Sequence, residues 1–123
     1  MQKPAKRVLA IFESPTVFIL ECTTPEVVSA LGINPELELT ILLRKNGVIY
    51  TDRAKKVQSS TGKITAGEAW GSLSPLFKGN IFAVQEDVIA RRISDDDVAP
   101  QITLIPRKKV ASLIDKSDTV MVY

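Results

Sequence analysis

The chain carries one cysteine and no histidine, so the side chains able to do chemistry are few. Cys22 comes first. It lies just ahead of Thr24-Pro25-Glu26, which offers an N-cap, a proline at the first helical position and an early acid. A helix starting there would stabilise a thiolate, and a thiolate can carry sulfane sulfur as a persulfide. The plainer alternative is a small apolar residue packed beside Ile19 and Leu20, the common fate of a free cysteine. Gln85, Glu86 and Asp87 follow the apolar run IFAV at 81–84. Acids in that place either meet a ligand at the carboxyl end of a parallel sheet or cap the helix that follows.

Other groups are less specific. Gly62-Lys63 and the glycines near Trp70 invite a phosphate-loop reading, but the Walker spacing and GxGxxG are both absent. Trp70, Leu73, Leu76 and Phe77 form an apolar cluster. Trp70 and Phe77 are candidates for docking a partner, because Trp is enriched at interface hot spots; the alternative is a helix face packed on the sheet. Asp95-Asp96-Asp97 lack a second ligand cluster, so no metal site is expected. Arg107-Lys108-Lys109 read as a solvated helix face, with an acidic partner protein as the sharper alternative.

Composition narrows the field further. Without histidine there is no Ser-His-Asp or Cys-His nucleophile, no imidazole base and no imidazole metal ligand. A net charge of +2 gives no reason to expect direct nucleic-acid or membrane binding. Nothing in the residue spacings calls for a cofactor. The apolar stretch near the start is broken by Glu13, Ser14 and Pro15, which makes it a poor signal sequence. A lone thiol without a disulfide framework fits a reducing compartment, so a cytoplasmic location is expected.

The elements that must position these residues alternate. Apolar runs at 7–12 (RVLAIF), 37–43 (LELTILL), 81–84 (IFAV), 101–105 (QITLI) and 119–122 (TVMV) read as strands covered on both faces. Helices are expected near 25–31, 86–92 and 106–115, the last with Val110, Leu113 and Ile114 on one face. Strand and helix in alternation give an α/β fold: a single domain over 1–123, three layers, and a mainly parallel five-stranded sheet with helices on both faces. A hairpin pairing 8–12 with 17–20 is the competing local arrangement. The small, glycine-rich stretch 58–72 reads as a mobile loop.

These placed residues bring a family into view. The strand and helix start at 81–93 (IFAVQEDVIARRI) resemble the DsrE/DsrF/DsrH sulfur-relay superfamily, closest to its DsrH/TusB-like branch. Ser14-Pro15 after the first strand, Asn46-Gly47-Val48 after the second and an aromatic ending at Tyr123 agree with it. The resemblance implies life in a homo- or hetero-oligomer with DsrE/DsrF-like or sulfurtransferase proteins. DsrE-type subunits carry their sulfur-accepting cysteine just after the third strand. This chain has Gln85-Glu86-Asp87 there, as DsrH/TusB-like subunits lack that thiol. Some DsrH-like subunits have a cysteine in the segment after Ser-Pro, which makes Cys22 the candidate persulfide carrier. The resemblance thus implies a sulfur carrier or complex subunit rather than a stand-alone enzyme. The alternatives are a non-catalytic structural subunit and a small-ligand or nucleotide-binding regulator using Glu86 and Asp87.

Overall fold

The structure, a computed structural model, describes residues 6–14, 36–59, 62–71 and 80–123. Its centre is a five-stranded sheet in the order β6-β5-β2-β1-β7, with every neighbouring pair parallel. The strands are β1 (Lys6–Phe12), β2 (Leu37–Leu43), β5 (Asn80–Val84), β6 (Thr103–Ile105) and β7 (Thr119–Val122). A separate antiparallel pair, β3 (Lys56–Ser59) and β4 (Gly62–Thr65), lies between β2 and β5 in the chain.

The unbroken apolar runs have their expected cause. Ala10, Phe12, Leu39, Ile41, Leu43, Ile81 and Ala83 join one buried cluster, while Leu9, Ile11, Leu42 and Val84 join another. Successive side chains of a strand point to opposite faces, so both faces are covered over the central strands β1, β2 and β5, whereas the edge strand β7, expected to be covered as well, leaves Val120 and Val122 exposed. The first face carries a 3-10 helix (Lys45–Thr51) through Val48 and Tyr50, helix α1 (Ala66–Gly71) through Ala66, Ala69 and Trp70, and helix α2 (Gln85–Ala90) through Val88. The second face carries helix α3 (Val110–Asp115) through Val110 and Leu113. The result is the three-layer α/β fold expected from the strand and helix alternation. Ile114, expected on the packed face with Val110 and Leu113, lies at its margin and is 37% exposed.

Two local expectations change. The hairpin alternative fails because β1 has no free edge: Val8–Ile11 pair with β2 on one side and with β7 on the other. Residues 17–20 lie outside the described residues, as do the whole of the helix expected at 25–31 and Cys22 itself. In the stretch 58–72, where a loop was expected, the described residues instead complete the β3–β4 ladder and form α1. Glycine content misled here. Gly62 has φ +122, a conformation glycine adopts freely at a tight strand connection. Thr65 Oγ1 accepts the Glu68 N–H at 3.1 Å, so Thr65-Ala66-Gly67-Glu68 starts α1 in the manner of a capping box.

Topology now places the site. The connections leaving β2 and β5 cover the first face, while the connection leaving β6 covers the second. Adjacent strands β5 and β6 therefore send the chain to opposite sides. Such a switch point marks the carboxyl ends of the strands as the place where open α/β sheets hold ligands.

Candidate functional site

Parallel strands bring all their carboxyl ends to one rim, and the first charged residues after four of them meet there. Glu13 follows β1, Arg44 and Lys45 follow β2, Glu86 and Asp87 follow β5, and Arg107 follows β6. Backbone bonds fix the rim. Arg44 N–H donates to Phe12 O at 3.0 Å, Gly47 N–H donates to Glu13 O at 3.1 Å, and Glu13 N–H donates to Tyr123 O at 2.8 Å. The rings of Phe12 and Tyr123 stack with centroids 5.1 Å apart. Gly47 has no substitute here, because a Cβ would lie 2.1 Å from Phe12 O.

Each carboxylate of the rim is engaged. Glu13 Oε1 accepts Arg44 Nε at 3.0 Å and Nη2 at 2.6 Å, and its Oε2 accepts Lys45 Nζ at 3.2 Å. Those hydrogen bonds, from Arg44 first and Lys45 second, hold the Glu13 carboxyl below its ordinary value. Asp87 Oδ2 accepts the Lys45 backbone N–H at 2.8 Å, while Oδ1 accepts Arg107 Nη2 at 2.6 Å. Burial pushes the Asp87 carboxyl up, but the Lys45 N–H and the Arg107 guanidinium outweigh it and keep the group below its ordinary value. Glu86 receives the Arg107 backbone N–H on both oxygens at 3.0 Å. Arg91 closes the ring: Nη1 donates to Asp87 O at 3.2 Å and Nη2 to Asn46 Oδ1 at 2.6 Å.

Lys45 is the pivot. Its φ of 53° puts a side-chain-bearing residue in the left-handed region, a costly conformation kept only where surroundings over-determine it. Here the surroundings are Asp87 on its N–H and Glu13 on its ammonium. Glu86 and Asp87 thus cap the neighbouring turns at Arg107 and Lys45, while their own helix α2 has Val84 at its N-cap without a side-chain hydrogen bond.

Chemically the rim is a clamp. Carboxylates held deprotonated and saturated with donors are poor proton acceptors near neutral pH. No group of three or more His, Cys, Asp or Glu able to hold a metal occurs among the described residues. Asp95–Asp97 form a 3-10 turn in which the Ser94 hydroxyl accepts the Asp96 N–H. Gln85 is exposed on α2. Trp70, a docking candidate in sequence, is a core residue: it is 2% exposed and its indole N–H donates to Tyr50 O at 2.8 Å. Cys22 and Phe77 lie outside the described residues. Sequence reasoning missed Glu13, Arg44 and Lys45 as site residues. The available signal was positional: each is the first or second charge after an apolar run, and a parallel sheet gathers such positions at one end.

No family model matches the chain, and no curated protein matches it. Among solved structures, the ychN protein from E. coli superposes with a TM-score of 0.72 at 15% identity, covering 98% of this chain and 100% of that one. A protein of unknown function from Methanobacterium thermoautotrophicum, MTH1491, superposes at 0.63 and 10% identity, covering 94% and 98%. At these identities the fold is what is shared: a single-domain α/β fold. No helix among the described residues is long and apolar enough to cross a membrane.

Proposed function

We propose that the chain is a cytoplasmic sulfur-relay protein of DsrH/TusB-like character, carrying persulfide sulfur on Cys22 and working beside DsrE/DsrF-like or sulfurtransferase partners. The observation that supports it is the α/β fold that the DsrE/DsrF/DsrH resemblance implies, taken together with the thiol inventory. The position after β5, where DsrE-type subunits bear sulfur, holds the clamped Asp87, and Cys22 is the only cysteine in the chain. Loading then has one possible atom. The Cys22 thiolate attacks the outer sulfur of a donor persulfide, the new S–S bond forms at Cys22, and the donor leaves as a thiolate with no net oxidation.

A carrier thiol needs thiolate at neutral pH. Alkylation of Cys22 by iodoacetamide is therefore expected to reach half its limiting rate well below about pH 8.5, the value for an ordinary thiol. A profile centred at the ordinary value would remove the carrier role. The chain would then be a structural subunit of a complex whose chemistry lies elsewhere. One observation already favours that second reading: the rim at the carboxyl ends is internally paired and offers no free reactive group among the residues described here.

A further inference from the structure

The rim contains a labile pair that the sulfur chemistry does not use. The chain has three asparagines, Asn34, Asn46 and Asn80. Asn34 precedes Pro35, whose nitrogen has no hydrogen to lose, and Asn80 precedes the β-branched Ile81, which crowds the approach to its own nitrogen. Asn46 precedes Gly47, where nothing crowds it. Packing imposes this pair, since a Cβ at residue 47 would meet Phe12 O.

We propose that Asn46 is a deamidation site whose reaction is held back by the rim and released when the Lys45–Thr51 turn opens. In the reaction the Gly47 amide nitrogen attacks Asn46 Cγ. The N–Cγ bond forms, the Cγ–Nδ2 bond breaks, and ammonia leaves with the former amide proton. Water then opens the five-membered imide at either carbonyl, giving aspartate or isoaspartate, and no electrons are transferred.

The folded geometry opposes each part of this sequence. The Gly47 N–H is occupied, donating to Glu13 O at 3.1 Å and to Arg44 O at 3.0 Å. Asn46 Oδ1 is held by Arg91 Nη2 at 2.6 Å. Both residues sit within the 3-10 helix, which Asp87 and Glu13 pin through Lys45. Opening the turn frees the nitrogen and the side chain together. The products differ in consequence. An aspartate at 46 keeps its bond to Arg91 as an ion pair. An isoaspartate lengthens the backbone beside the point where Gly47 abuts Phe12, so the turn cannot close as before. The site therefore records opening of the rim irreversibly.

The test incubates the full chain, folded and in urea, at mildly alkaline pH. Peptide mapping and enzymatic methylation of isoaspartate follow conversion at all three asparagines. Conversion is expected at Asn46 alone, and about tenfold slower or more in the folded chain, because local opening that costs about 1.4 kcal/mol already gives that ratio. Arg91→Ala, checked for its fold by circular dichroism, is expected to convert at an intermediate rate. Equal rates in folded and unfolded chain would overturn the proposal, as would conversion at Asn80 matching that at Asn46. Wild-type kinetics in folded Arg91→Ala would overturn the role given to Arg91. The folded-against-urea contrast in the wild type stands even where the variant does not fold.

Discussion

Trp70 and Asp87 are both buried on connections that leave the carboxyl ends of the sheet, and they are buried by opposite means. Trp70 sits among Tyr50, Ala66 and Ala69 with its one polar atom satisfied by Tyr50 O. Asp87 keeps its charge in place through Lys45 N–H and Arg107. The first is held by apolar area, which is insensitive to salt and pH. The second is held by pairing, which depends on both. The difference teaches that two functional-looking features of the sequence, an aromatic in a glycine-rich stretch and a pair of acids after a strand, are both engaged within the fold, by different forces.

Substitutions can break that comparison. The largest effect is expected from Trp70→Ala, which removes a fully enclosed ring and should cost about 3–5 kcal/mol, read as a lowered urea midpoint. A loss under about 1 kcal/mol would mean that Trp70 is a surface group after all. Asp87→Ala leaves the Lys45 N–H and Arg107 without their acceptor and should cost about 1–3 kcal/mol, while Asp87→Asn, which can still accept from Lys45, should cost less. Equal losses for the two would show that the negative charge facing Arg107, rather than the hydrogen bond from the Lys45 N–H, is what matters.

The pairing also sets a pH dependence. Glu13 and Asp87 are both held below their ordinary values in the folded chain. Their contribution is therefore fully present above the unfolded carboxylate range, about pH 4, and is lost as pH falls through the lower folded values. Urea midpoints should be flat from neutrality down to about pH 5 as far as these two groups are concerned, and then fall; Asp87→Asn should make that fall shallower. A wild-type and variant curve of the same shape would contradict the pairing at Asp87. The smallest effect is expected for Glu13→Gln. Gln can still accept from Arg44, and the Lys45 partner is largely exposed, so the loss should be about 1 kcal/mol or less and should shrink in high salt.

Much of the sheet was legible because its residues are locally emphatic. The runs at 37–43 and 119–122 coincide with β2 and β7; the apolar residues of 37–43 foretold cover on both sides, whereas β7, at the edge of the sheet, leaves Val120 and Val122 exposed. The stretch around Gly62 was not legible from composition, since glycine and small polar residues mark loops and tight hairpins alike. Its readable cue was the spacing of Thr65 and Glu68. The rim was harder for a different reason. Glu13 and Arg44 are 31 residues apart, Lys45 and Asp87 are 42 apart, and Asp87 and Arg107 are 20 apart. Only strand order brings them together, and strand order is not written in any one segment.

The rim is paired within the fold, and Cys22 is the thiol proposed to carry sulfur. The most direct test is the intact mass of polysulfide-treated wild type, Asp87→Asn and Cys22→Ser, each confirmed as folded. A reducible gain of whole sulfur atoms is expected in the wild type and in Asp87→Asn, and none in Cys22→Ser. Folded wild type that gains no sulfur, or loading that vanishes in Asp87→Asn while that variant remains folded, would contradict the proposal.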